Sequence, residues 1–245
     1  MTGLQIPKHV HVGDAFHGGQ VLFDARSGQW YAMNGTARLL WEEWHRTGDF
    51  ESAVRTLADG FPCVRYDSVR LDAERVARDL VERGLVYLDE ERGSAHRDLP
   101  HGSTGLVSPD VSRTWDANTV RWPRTASLIG LLLALCLLRF PFRACVHAVT
   151  VLKERCGRRP ATTRQAEVML TAVRRAGERY PGRVACLEDS LATVLGLAVA
   201  GLAADWCLGS ADDPYRFHAW VEVAGATVEP AEADDHTRFR RVLVL

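Results

Sequence analysis

Cys186-Leu187-Glu188-Asp189-Ser190-Leu191-Ala192 is the stretch on which the fold of the C-terminal half turns. Pro181-Gly182 just upstream suits a turn, and from Cys186 onward Leu187, Leu191, Val194 and Leu195 recur at helical spacing. The spacing predicts a helix that begins at Cys186 and leaves the thiol at its exposed first turn. A cysteine attacks as thiolate, and the unpaired N–H groups of a helix N terminus stabilise that negative charge. The second informative run is Phe217-His218-Ala219-Trp220-Val221-Glu222-Val223. Alternation predicts a strand with Phe217, Ala219, Val221 and Val223 on the core face and His218, Trp220 and Glu222 on the other. A neutral imidazole beside a thiol serves first as base and then as acid toward a leaving amine. Thiol at a helix start and histidine on a strand is the layout of a cysteine-nucleophile acyl-transfer site. Each residue also has a plainer reading, a buried inert thiol and a surface strand imidazole.

A third group should orient the imidazole. Ala224-Gly225 can form a two-residue hairpin turn, in which Val223 faces Ala226 and Trp220 faces Glu229. Glu229 then shares the face of His218 as a diagonal neighbour, roughly 7–8 Å away along the backbone. Glu232, Asp234 and Asp235 are the alternatives if the turn is longer. The backbone N–H of Cys186 is one candidate oxyanion donor; no residue stands out as the second.

Working back from Cys186, helices precede strands. Thr162 to Tyr180 is amphipathic, with Ala166, Met169, Leu170 and Val173 inward, and Ala144 to Glu154 reads as a helix after Pro141. The run 128–138 is almost wholly apolar but stops at Arg139, well short of the ~20 residues that span a bilayer, so a buried core helix is expected and no membrane span. Strands are expected around Asp205 to Leu208, Arg216 to Val223 and Thr227 to Glu229. Helices first and strands later is an α+β order. Residues 125–245 form this unit; residues 90–124, rich in Gly and Pro without lasting periodicity, read as a linker.

Residues 1–89 read as a separate unit. Three short strands are expected at His9 to Gly13, Gln20 to Asp24 and Gln29 to Met33. Three helices follow. Asn34 or Thr36 can cap the first, with Ala37, Leu40, Trp41 and Trp44 inward. Asp49 caps the second, with Phe50, Val54 and Leu57 inward, and Asp67 or Ser68 starts the third, with Val69, Ala73, Val76 and Leu80 on one stripe before Gly84.

Composition narrows the class. Net charge is −1 and the pI about 6.8, which argues against nucleic acid or an anionic membrane surface as partner. The six cysteines form no CxxC pair, so neither a metal nor another cofactor is expected, and they read as reduced thiols of a cytoplasmic protein. The N-terminal residues do not read as a secretory signal.

Cys186-Leu187-x-x-Ser190-Leu191-Ala192 followed by His218-Ala219-Trp220-Val221-Glu222-Val223-x-Gly225 resembles the transglutaminase-like leader peptidases of lasso peptide biosynthesis. Independently, Val21-Leu22-Phe23-Asp24-x-x-Ser27-Gly28-x-Trp30-Tyr31-Ala32-Met33-Asn34-Gly35-Thr36-Ala37, with Gly84-Leu85-Val86, resembles the PqqD-like precursor-recognition domain, a winged-helix module of three strands and three helices. The resemblance implies a nucleophile at Cys186, a base at His218 and an acid near Glu229, where the family usually has aspartate. It also implies leader capture by strand addition along Gln29, Trp30, Tyr31, Ala32 and Met33, against a wall of Val69, Ala73, Val76, Arg75 and Asp79. The implied partners are the leader of a ribosomally made precursor peptide and an ATP-dependent, asparagine-synthetase-like lasso cyclase. Three other classes compete: a non-catalytic leader-binding chaperone, a DNA-binding winged helix, and a true transglutaminase that joins amines to acyl groups. The near-neutral charge and mixed-sign third helix disfavour the second.

Overall fold

The computed structural model describes residues 4–15, 18–88, 122–182, 184–211, 216–228 and 239–245. The chain is α+β, as its element order predicts. A short strand β1 (Leu4–Gln5) precedes β2 (Val10–Asp14), β3 (Gln20–Asp24) and β4 (Gln29–Met33). The last three form an antiparallel sheet in the order β2-β3-β4, so β3 is central and β4 lies at an edge. The β3–β4 turn is built by Asp24, whose carboxylate accepts from the Arg26 N–H at 2.9 Å and the Ser27 hydroxyl at 2.7 Å. Gly28 closes it at φ +76°, a conformation that side chains resist.

Helices α1 (Gly35–Thr47), α2 (Phe50–Asp59) and α3 (Tyr66–Glu82) follow, and β5 (Tyr87–Leu88) returns to pair with β1. Asn34 caps α1 through the Ala37 N–H and Asp49 caps α2 through the Glu51 N–H, as their residue types predict. The α3 start differs from expectation. Its N-cap is Arg65, without a side-chain cap, and Asp67 lies in the first turn, where its charge still suits the helix dipole. Leu22, Leu40, Trp41, Trp44, Phe50 and Leu80 share one core between this sheet and its helices.

The second part holds α4 (Trp122–Leu137), α5 (Phe142–Cys156), α6 (Thr163–Gly177) and α7 (Cys186–Val199). It ends in a sheet of order β10-β9-β8-β11, made of β8 (Asp205–Ala211), β9 (Arg216–Val223), β10 (Ala226–Thr227) and β11 (Arg240–Val244). A short parallel pair, β6 (Arg159–Pro160) and β7 (Leu202–Ala203), joins the start of α6 to the end of α7. Thr162 and Gln165 cap α6 reciprocally. The β9–β10 turn is Ala224-Gly225 with φ of 51° and 78°, and Val223 faces Ala226 in the expected register. Strand β11, which alternation in the last residues did not bring out, fills the far edge of the sheet against β8.

One expectation for α4 fails. It is not buried all round: Ala126, Gly130, Leu131 and Ala134 face inward, while Leu128, Ile129, Leu132 and Leu133 are exposed. The inward stripe is made of small residues because α4 lies directly on the α7 backbone, and α7, not α4, is the helix at the centre. From Ser190 to Ala198, every residue of α7 is buried. Among the described residues, no helix is long and apolar enough to cross a membrane.

The two parts pack against each other through the face of the small sheet that its own helices leave uncovered. Phe23 and Ala25 belong to the core of the second part, together with Leu191, Trp206, Ala219 and Val221. Phe23 meets Phe142 edge-on at 5.4 Å between ring centroids, and Trp30 stacks on Phe217 at 4.6 Å and 19°. Close backbone approach completes the contact. A Cβ on Gly13 would sit 2.6 Å from Val242, and one on Gly28 would sit 3.0 Å from Phe142.

Candidate functional site

Helix α7 begins at Cys186 itself. Ala185, extended, is its N-cap, and the Ala185 N–H donates to the Glu188 carboxylate at 3.0 Å. Glu188 and Asp189 place two acids in the first turn, where the helix dipole favours them. The thiol is half-buried rather than fully exposed as its helix position suggested, because neighbouring elements close over the first turn. Ser190 holds that turn in place. Its hydroxyl accepts from the buried Trp206 indole N–H at 2.9 Å and donates to the Leu187 carbonyl at 3.2 Å.

His218 lies on β9 opposite Gly209 of β8. Its ring is parallel to Trp220 at 6.0 Å and tilted against Phe239 at 5.0 Å. This face of β9 is not a solvent face, although it carries the polar residues. Trp220 and Glu222 are buried, and the Trp220 indole N–H donates to Glu222 at 2.8 Å. Arg241 neutralises that carboxylate at 3.0 Å. Sequence alternation missed this cover because Phe239 and Arg241 arrive with β11.

Cys186 and His218 border the same small cleft, about 30 Å³, together with Ser190, Asp189 and Arg174. That volume holds a water molecule or two but no side chain of a substrate. A peptide would therefore present its backbone at the cleft mouth. Asp189 went unassigned in the sequence, although it lies one turn after Cys186 and so on the same helix face. Burial pushes its carboxyl above the usual carboxylate range, and Arg174, 3.4 Å away, pulls it partly back. One Asp189 oxygen is buried with no hydrogen-bond partner. Glu229, Glu232, Asp234 and Asp235, the candidates for the third group, lie outside the described residues. Two other thiols differ sharply from Cys186 in setting. Burial, with Glu222 and Asp205 adding, pushes Cys207 up to about 12, and burial raises Cys145. Among the described residues, no group of His, Cys, Asp and Glu is arranged to hold a metal ion.

A much larger concavity than the cleft lies elsewhere, between β4 and α3. It measures about 950 Å³ and is bordered by Trp30, Tyr31, Ala32, Met33, Val69, Ala73, Arg75, Val76 and Asp79. These are the residues singled out for a peptide groove, with Gln29 alone not on its border. Gln29 instead sits at the end of β4, accepting from the Tyr31 hydroxyl at 2.7 Å. Tyr31 faces the helices, whereas Trp30 turns its ring to the other part of the chain. Leu57, Phe61, Val64 and Arg83 also border the groove and were not anticipated. Phe61 and Val64 lie between α2 and α3, where no periodicity marks them. Along α3 and at its C-cap, Arg70, Arg75 and Arg83 are each paired with an acid three or four residues away.

Comparison with protein families matches residues 19–86 to coenzyme PQQ synthesis protein D (PqqD) and residues 130–244 to the transglutaminase-like superfamily. The chain is a PqqD-like domain fused ahead of a transglutaminase-like domain. No curated protein and no solved structure matches it. The groove is thus a feature of the PqqD-like domain. The cleft at the start of α7 belongs to the transglutaminase-like domain, whose match includes both Cys186 and His218.

Proposed function

We propose that this protein is a cysteine peptidase that removes the leader from the precursor of a ribosomally made peptide, in the lasso class. The observation that carries the reading is the shared cleft of Cys186 and His218 at the α7 N terminus, on a chain whose PqqD-like domain has an open strand edge beside an apolar groove. The leader adds a strand to β4, with main-chain hydrogen bonds giving affinity and the groove selecting side chains. Cys186 attacks the carbonyl that joins leader to core, with His218 taking the thiol proton and passing it to the leaving amine. The leader is held as a thioester on Cys186 until water, deprotonated by His218, releases it as a free acid. First-turn N–H groups of α7 face the developing oxyanion. Glu229 orients the imidazole. A cytoplasmic setting and a cyclase that takes the freed core as substrate go with this reading.

The test uses a lasso precursor peptide whose labelled leader the chain binds. The wild-type chain should split it once, leaving a leader with a free carboxyl end, as read by mass spectrometry. Cys186→Ala and His218→Ala should each abolish cleavage while fluorescence anisotropy of a labelled leader still reports binding. Cleavage by Cys186→Ala would overturn the reading and leave a leader-binding chaperone. A product carrying an added amine in place of the free carboxyl would make the enzyme a transglutaminase.

A further inference from the structure

Aromatic contacts run from the small sheet toward both sides of the cleft. From β4, Trp30 stacks on Phe217, and Phe217 is the residue before His218. From β3, Phe23 packs edge-on against Phe142. Phe142 lies against Trp206 at 5.8 Å, and Trp206 donates to Ser190 in the first turn of α7. The β9 alternation explains why Phe217 is available. It continues the core face of Ala219 and Val221, but beyond the reach of α7; Trp30 stacks on one side of it, and the ring is otherwise open, 42% exposed. The strand whose edge is open to a peptide and the strand that carries the imidazole are therefore joined one residue from the site.

We infer that Trp30 and Phe217 are positioning residues. Their stack fixes the β4 edge relative to β9, so a leader docked on β4 delivers its downstream bond to Cys186 in one orientation. This rests on the function proposed above. A flexible tether would raise only the local concentration of substrate at the thiol. A packed joint fixes orientation as well, and orientation acts on the chemical step, where a misplacement of about 1 Å costs on the order of 100-fold. Phe217 makes the cleaner probe, since it borders neither the groove nor the cleft.

The experiment compares the full-length wild type with Phe217→Ala and Phe217→Tyr on a lasso precursor peptide whose labelled leader the chain binds. Phe217→Ala should lower kcat by about 10-fold or more while KM stays within about 2-fold. Its affinity for the labelled leader and its rate of Cys186 alkylation by iodoacetamide should both hold within about 2-fold. Phe217→Tyr, which keeps a stack, should retain most of the activity. If Phe217→Ala does not fold, Phe142→Ala loosens the same joint from β3 and should give the same kcat loss. Unchanged kcat in the folded variant overturns the inference. So does a loss matched by equal loss of alkylation, which would make Phe217 a plain structural support of the site. Failure of the wild type to cleave at all would instead sink the proposed function, so the two failures are distinguishable.

Discussion

Gly130→Ala puts the helix crossing beneath the thiol to a test in which two effects oppose each other. Taken alone, replacing a mid-helix glycine by alanine stabilises a helix by about 1 kcal/mol. Here the new Cβ would lie 2.8 Å from the Gly196 nitrogen and 3.0 Å from its Cα, with the Ala192 carbonyl oxygen closer still. All three are backbone atoms of α7, so no side chain can rotate away. Helix α4 must back off until the 2.8 Å contact reaches at least 3.4 Å. That separation opens space along Leu131 and Ala134 on one helix and Ala192 and Leu195 on the other, all of them buried. Forced separation of packed elements costs about 1–3 kcal/mol. With rigid obstacles on a fully buried seam, the upper end applies, and the net loss is about 2 kcal/mol. For a chain of this size that lowers Tm by about 4–8 °C. Thermal unfolding followed by circular dichroism measures it, with Leu132→Ala as control, because Leu132 is 67% exposed on the same helix and should hardly matter. A Tm for Gly130→Ala equal to or above wild type would refute the close crossing.

Three further outcomes follow from the same packing. Ser190→Ala should destabilise by about 1–3 kcal/mol, since it leaves the buried Trp206 N–H without its acceptor, and urea unfolding reads the loss. In the native protein at pH 8, iodoacetamide should label Cys186 and spare Cys207 and Cys145, as mapped by peptide mass spectrometry. The Cys207 thiol, pushed up to about 12, stays protonated there, and labelling of Cys207 at the rate of Cys186 would contradict its burial. His11 sits on β2 where Phe23 pairs with it, on the face turned to the second part of the chain, and burial followed by His9 lowers its pKa below 6.5. The unfolded chain then binds more protons than the folded one between the lowered pKa and 6.5, so stability should fall as pH drops through that window. His11→Gln should remove part of that slope in urea titrations between pH 7 and pH 5; an identical slope would show that His11 does not contribute.

Much of the site could be read from local pattern. The start of α7 at Cys186 followed from its apolar spacing, whereas the groove wall of Val69, Ala73 and Val76 opposite β4 was an expectation from the family resemblance. The β9–β10 turn was legible because Ala224-Gly225 has little choice of conformation once flanked by alternating strands. Other features depended on partners distant in sequence. The α4 stretch looked like a buried helix because all of it is apolar, yet only the face that meets Gly196 and Ala192 is covered. Alternation showed which face of β9 carries His218, but not that Phe239 and Arg241 from the C-terminal segment close over it.

The sequence by itself determined most of the elements, the order of the two domains and the thiol and imidazole of the cleft, because capping, periodicity and turn chemistry act over a few neighbouring residues. Only the tertiary structure decided how those parts meet. It half-buried the thiol, brought His218 and Arg174 to the same cleft, and bound the small sheet to the second part through Trp30, Phe217, Phe23 and Phe142. Which surface an aromatic side chain meets is settled when long-range packing brings two distant segments into contact.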